Sequence, residues 1–151
     1  MYCRGVRGAT TIAENTSDAI LKGTQELLAL MIRRNQIDPA DVASAIFTVT
    51  SDLDAEFPAI AARQFGWSSV ALMCYNELDV PGSLRHCIRI LIHWNTDKTA
   101  DEIQHVYVGG AVNLRPDIRS LPPIDREALE RWIAEHFDAS VPVPKRPKRD
   151  L

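Results

Sequence analysis

Polar and apolar residues alternate in twos at the start of the chain. Tyr2, Arg4 and Val6 fall on one side and Cys3, Gly5 and Arg7 on the other, the period of a strand. Gly8-Ala9-Thr10-Thr11 predicts its end. The period then changes: Ile20, Thr24, Leu27, Leu28, Met31 and Ile32 recur at helical spacing. Thr16 or Ser17 can accept from the free N–H groups of the first turn, and Asp18 suits its positive end. A helix to about Asn35 follows. Asp38-Pro39 predicts a further short helix, because proline is favoured at a first helical position.

Ala45–Thr50 is β-branched and alternating and predicts a strand. Ser51–Glu56 is an acidic loop, Phe57–Phe65 a short helix, and Val70–Tyr75 a buried strand. Asp79-Val80-Pro81-Gly82 carries turn chemistry. In Leu84–Trp94, Ile88, Ile90, Ile92 and Trp94 share one face of a strand, and Cys87, Arg89, Leu91 and His93 the other. His105–Val112 predicts another strand. After Pro122-Pro123, Ala128, Leu129, Trp132, Ile133 and Phe137 line one side of an amphipathic helix. From Ala139 onward the chain is rich in proline and basic residues, which predicts a disordered tail. Strands outnumber helices in no strict βαβ order, so the expected class is α+β with one mixed sheet.

Composition narrows the picture. The chain has 151 residues, 46% hydrophobic and 25% charged, which suits one domain able to bury a core without disulfides or metals. A net charge of −3 argues against broad attraction to nucleic acid or anionic membrane. No apolar run is long enough to span a bilayer. The N-terminus lacks the pattern of a signal peptide. Cys3, Cys74 and Cys87 are odd in number and lack ligand spacing. Reduced thiols in a cytoplasmic protein are expected.

The candidate chemistry is sparse. Arg7 and Arg89 each stand in a strand opposite its main apolar run. Such an arginine faces water, a subunit boundary or an anion, since an unpaired buried guanidinium is costly. Glu77 is either a loop carboxylate or an acceptor for a substrate hydroxyl at a strand end. Nothing near Cys74 points to an activated thiolate. His86, His93, His105 and His136 have no metal-ligand spacing and read as surface or interface residues. No nucleotide-binding glycine motif is present, and the terminal basic run reads as a solubilising tail. Pattern alone therefore reaches an α+β domain whose strand-borne arginines either are solvated on an open sheet face or suit binding of a small polyanion by fixed cations.

Several blocks are more specific. Arg4-Gly5-Val6-Arg7-Gly8-Ala9-Thr10-Thr11 resembles the N-terminus of the monofunctional trimeric chorismate mutases of the α/β-barrel-like, bacterial AroH type. So do Asp52-Leu53-Asp54-Ala55-Glu56-Phe57-Pro58-Ala59 with Ala62-Arg63, and Cys74-Tyr75-Asn76-Glu77-Leu78-Asp79-Val80-Pro81-Gly82-Ser83-Leu84 running on to Cys87-Ile88-Arg89. His105-Val106-Tyr107 and Leu114-Arg115-Pro116-Asp117 complete the series. The blocks keep the family's order and spacing over roughly residues 4–117.

The resemblance implies a five-stranded mixed sheet with helices packed on it, a pseudo α/β barrel assembled as a homotrimer, and sites between neighbouring subunits. It implies a mutase domain over 1–120, leaving a helical extension at 121–138 and the basic tail at 139–151. By the same resemblance, Arg7 and Tyr107 hold a substrate carboxylate, and Arg89 reaches the ether oxygen and a carboxylate. Glu77 and the Cys74 region meet the ring hydroxyl. Phe57 and Arg63 come from the adjacent chain, and Leu114 and Arg115 help close the mouth. Chorismate and prephenate are the implied ligands, with no metal or organic cofactor. Ile60 departs from the family, which often carries lysine there. Without the resemblance, a trimeric enamine/imine deaminase or a non-catalytic anion-binding regulatory trimer stays open; Glu77, Arg89 and Tyr107 together favour the mutase.

Overall fold

A computed structural model describes residues 1–118 and 121–147. Five strands form one mixed sheet: β1 (Tyr2–Thr11), β2 (Val42–Val49), β3 (Ala71–Asn76), β4 (Cys87–Thr96) and β5 (Val106–Tyr107). Their spatial order is β3-β2-β4-β1-β5. The outer pairs, β2 with β3 and β1 with β5, are parallel, whereas β4 runs antiparallel to both β1 and β2. Among the described residues, three α-helices complete the fold: α1 (Ser17–Asn35), α2 (Ala59–Gln64) and α3 (Arg126–His136).

Helix α1 begins where the capping residues stand. Thr16 Oγ1 accepts from the Ala19 N–H at 3.1 Å, Asp18 sits in the first turn, and Arg33 and Arg34 sit in the last. Its apolar stripe covers one face of the sheet. Val6, Phe47, Ile90, Ile92 and Leu28 are buried together there. Gly8 lies under this helix: a Cβ at that position would come within 2.4 Å of Met31 Sδ. Asn35, fully buried at the helix end, donates from Nδ2 to the Gln104 carbonyl at 2.8 Å and accepts from the Gln104 N–H at 2.8 Å. That pair ties the lead-in to β5 onto α1.

The structure corrects several boundaries. β1 does not end at Gly8 but runs to Thr11, because Gly8–Thr11 pair fully with Ile90–Cys87. β3 is an edge strand rather than a buried one: Met73 is 56% and Tyr75 48% exposed, since no strand lies beyond it. β4 starts at Cys87, after His86 turns at φ 50°, and continues to Thr96. The strand expected over His105–Val112 is only Val106–Tyr107. Gly109 turns the chain at φ 60°, and Gly109–Asn113 winds into a 3-10 helix.

Helix α3, capped by Asp125 accepting from the Ala128 N–H at 3.0 Å, packs on α1. Leu129 is fully buried, and the Trp132 ring meets Phe65 edge-on at 5.4 Å. Phe137, expected on the same apolar side, is the residue after the helix end and is 39% exposed. Within residues 139–147, part of the tail predicted to be disordered, Arg146 bonds Glu56. The rest of the basic run, 148–151, lies outside the described residues.

Candidate active site

The face of the sheet turned away from α1 carries most of the expected site. Residues directly opposite in a ladder project to the same side. Register therefore places Arg89 beside Ala9 on one flank and Thr48 on the other, with Arg7 two residues along from Ala9 and Tyr107 opposite it. Arg7, Arg89 and Tyr107 thus share this face, on three adjacent strands.

Glu77 follows β3 directly. Its N–H donates to the Val49 carbonyl at 2.9 Å, and its carboxylate accepts from Thr48 Oγ1. The Arg89 Nε lies 3.4 Å from Glu77 Oε1. Both side chains keep solvent access, at 44% and 26%, so cation and anion are fixed side by side without being sealed off.

The loop after β2 holds the start of β4. Thr50 Oγ1 donates to Asp52 at 2.5 Å and accepts from the Cys87 N–H at 3.0 Å. The His86 N–H donates to both Asp52 oxygens, at 3.2 and 3.0 Å. Burial raises the Asp52 carboxyl, but the bonds from Thr50 and His86 outweigh it and hold the group below its ordinary range. This brace lies two residues from Arg89.

A second group gathers around Arg7. The Arg7 N–H donates to His105 Nδ1 at 3.0 Å, which requires that nitrogen to be unprotonated. Burial, with the positive charges of Arg7 and Arg115 nearby, lowers the pKa of His105. Arg115 makes a two-point bond to Asp117, Nε to Oδ1 at 2.9 Å and Nη2 to Oδ2 at 2.6 Å. That bond, and the charge of Arg7 to a smaller degree, lowers the Asp117 carboxyl to about 2. Leu114 lies half-buried at the end of the 3-10 segment, just before Arg115.

Cys74, Phe57 and Arg63 lie elsewhere. Cys74 pairs with Phe47 in the ladder, so it faces the helix side and packs on the core. Burial pushes its thiol up, against smaller opposing effects of the Ala59 N–H and Arg63. Arg63 projects from α2 into solvent, and Phe57 is 56% exposed just before that helix. Cys74 and Phe57 line a cavity of about 620 Å³ to which Arg7, Glu77, Arg89 and Tyr107 do not contribute. Ile60 is buried with Leu21 and Ala61 and presents nothing at this edge. One chain therefore carries two separate sets of the expected residues.

Sequence reading missed four residues of this arrangement. Thr48 follows from strand alternation once its pairing with Arg89 is known. His105, read as a surface or interface residue, is half-buried against the β1 backbone. Asp117 stands in one of the family blocks without an implied role there, and Arg146 gives no local signal. Among the described residues, no cluster of three or more His, Cys, Asp or Glu could hold a metal ion, and no helix is long and apolar enough to cross a membrane.

Comparison with known proteins gives the family. Residues 3–118 match the family model described as chorismate mutase type I. Over 118 residues the chain is 50% identical to a chorismate mutase AroH of Thermus thermophilus, covering 78% of this chain and 97% of the relative. It is 44% identical over 119 residues to the chorismate mutase AroH of Bacillus subtilis, covering 78% and 94%. A solved chorismate mutase from Clostridium thermocellum superposes with a TM-score of 0.71 at 57% identity, over 72% of this chain and 96% of that one. With the family model spanning residues 3–118, and so both the Arg89–Glu77 pair and the group around Arg7, the chain belongs to the type I chorismate mutases.

Proposed function

We propose that this chain rearranges chorismate to prephenate in a cleft completed by a neighbouring subunit of a homotrimer. The carrying observation is the division of the site residues. Arg7, Glu77, Arg89 and Tyr107 stand at one face of the chain, whereas Phe57 and Arg63 stand at a separate edge. Two such half-sites become one site when the edge of one subunit meets the face of the next. The exposed Met73 and Tyr75 on β3, with Leu78 84% exposed beyond it, supply apolar surface for such a contact.

The chemistry suits these side chains. The rearrangement breaks a carbon–oxygen bond while a carbon–carbon bond forms within one dianionic molecule. It needs no nucleophile, proton transfer or redox step. The enzyme's tasks are to hold the flexible enolpyruvyl arm over the ring and to stabilise negative charge gathering on the ether oxygen. Arg7 and Tyr107 hold a carboxylate, with Arg115 and Leu114 at the mouth. Arg89 donates to the ether oxygen. Its guanidinium is always charged and presents donors in a rigid plane. Glu77, fixed by Thr48, faces the positive character that develops on the ring. Cys74 fills space near the ring hydroxyl as a neutral thiol.

Subunit complementation tests the assembly. Arg89→Ala and Arg63→Ala are each expected to be strongly impaired alone. Mixing the two after dissociation should regenerate some clefts with both arginines intact, and chorismate turnover should recover. A mixture no more active than its parents, with subunit exchange confirmed by mass, places both arginines in one chain's site and sinks the interfacial reading.

A further inference from the structure

We propose that the C-terminal extension delivers Arg146 as a positioning residue for the ring of Phe57. This rests on the reading that Phe57 enters a neighbour's cleft. The family match ends at residue 118, so α3 and the segment after it are additions to that domain. They do not hang free. Leu129 and Trp132 seat α3, and the Asp138 N–H donates to the Gln64 carbonyl at 2.8 Å. The chain then returns past α2 until Arg146 reaches the residues just before that helix.

Two contacts meet there. The Glu56 carboxylate has no exposed surface. It accepts from Ser17 Oγ at 3.0 Å, from the Phe57 N–H at 2.9 Å, and from Arg146 Nε at 2.9 Å, with a further bond from Arg146 Nη2. The same guanidinium lies over the Phe57 ring, 5.1 Å from its centroid. Two donors of the guanidinium meet one oxygen, Glu56 Oε1, which holds the cation against one side of the ring while Phe57 stays 56% exposed. Arg146, Phe57 and Cys74 border the same cavity. The ring is therefore held from one side by Arg146 and left free on the other for an occupant.

A group that acts by placing Phe57 should alter substrate affinity more than the chemical step, and only while Phe57 is present. Steady-state kinetics on chorismate with the full chain compares wild type, Arg146→Ala, Phe57→Ala and the double variant, with melting curves recorded in parallel. Arg146→Ala should raise KM about three- to fivefold, the scale of one lost cation–ring contact, with kcat within about twofold. Phe57→Ala should raise KM as well, and the double variant no further than Phe57→Ala alone. If Arg146→Ala fails to fold, Arg146→Gln keeps a donor for Glu56 without the cation, and its KM should rise likewise. A lower melting temperature with unchanged KM makes Arg146 an anchor only and overturns the proposal. So does a KM effect of equal size in the Phe57→Ala background. If Phe57→Ala alone leaves KM unchanged, the placement of Phe57 in the site falls too; if it raises KM and Arg146→Ala does not, only this inference falls.

Discussion

The Arg89 Nε and the Glu77 carboxylate stand 3.4 Å apart although Arg89 lies on β4 and Glu77 just past the end of β3, with β2 between those strands. Thr48, on the intervening strand, is the register partner of Arg89 and also donates to Glu77. One hydroxyl thus ties a carboxylate at the sheet edge to β2, beside the central strand that carries the arginine.

That relationship sets the expected behaviour of Arg89. Its charge should matter more as the ether bond breaks than when substrate first binds. Arg89→Ala should lower kcat more than it raises KM, by about 10²–10³-fold, the usual cost of one oxyanion donor. Arg89→Lys keeps the charge without the planar donors and should also be impaired. Near-normal kcat in a correctly assembled Arg89→Ala enzyme would remove the centre of the mechanism.

Cys74 should behave as a spacer. Burial raises its pKa, so little thiolate forms near neutral pH. Cys74→Ser should retain substantial activity, and iodoacetamide should not inactivate the enzyme through this residue. Complete loss of turnover in a folded Cys74→Ser variant would contradict this.

His105 should make the fold sensitive to mild acid. Its folded pKa is lowered from 6.5 by burial and by Arg7 and Arg115. The unfolded chain therefore binds the proton more readily, and stability rises with pH. The contribution is complete above about pH 6.5 and is lost as pH falls through the lower folded value. Protonation also removes the acceptor of the Arg7 N–H. Denaturant melts of wild type and His105→Gln across this window should converge at low pH. Parallel curves would show that His105 does not titrate as described.

Truncation should grade the extension. Cutting after Asp138 removes Arg146 and leaves Glu56 buried without its cation, so melting should fall. Cutting after Pro122 also removes Leu129 and Trp132 and should cost more. Leu129→Ala alone should cost about 2–4 kcal/mol, as for other fully buried leucines. Equal losses from the two cuts would mean that α3 adds nothing to the core.

Local pattern determined much of this protein. The helical stripe Ile20–Ile32 named the face of α1 that meets the sheet, and Thr16 or Ser17 its start, because apolar periodicity and capping depend only on near neighbours; the structure chose Thr16. Alternation in Cys87–Trp94 turned Arg89 away from the buried isoleucines, and the family blocks marked Arg7, Glu77 and Tyr107. Other features depended on what the folded chain placed opposite them. β3 reads as buried by composition and is exposed because nothing pairs beyond it. The strand expected from His105 stops after Tyr107 because Gly109 turns left-handed. Nothing near Glu56 shows that its cation comes from position 146, or near Arg7 that its N–H ends on His105. Those contacts span 90 and 98 residues, and only the packing of α3 on α1 and of β5 on β1 brings their partners together.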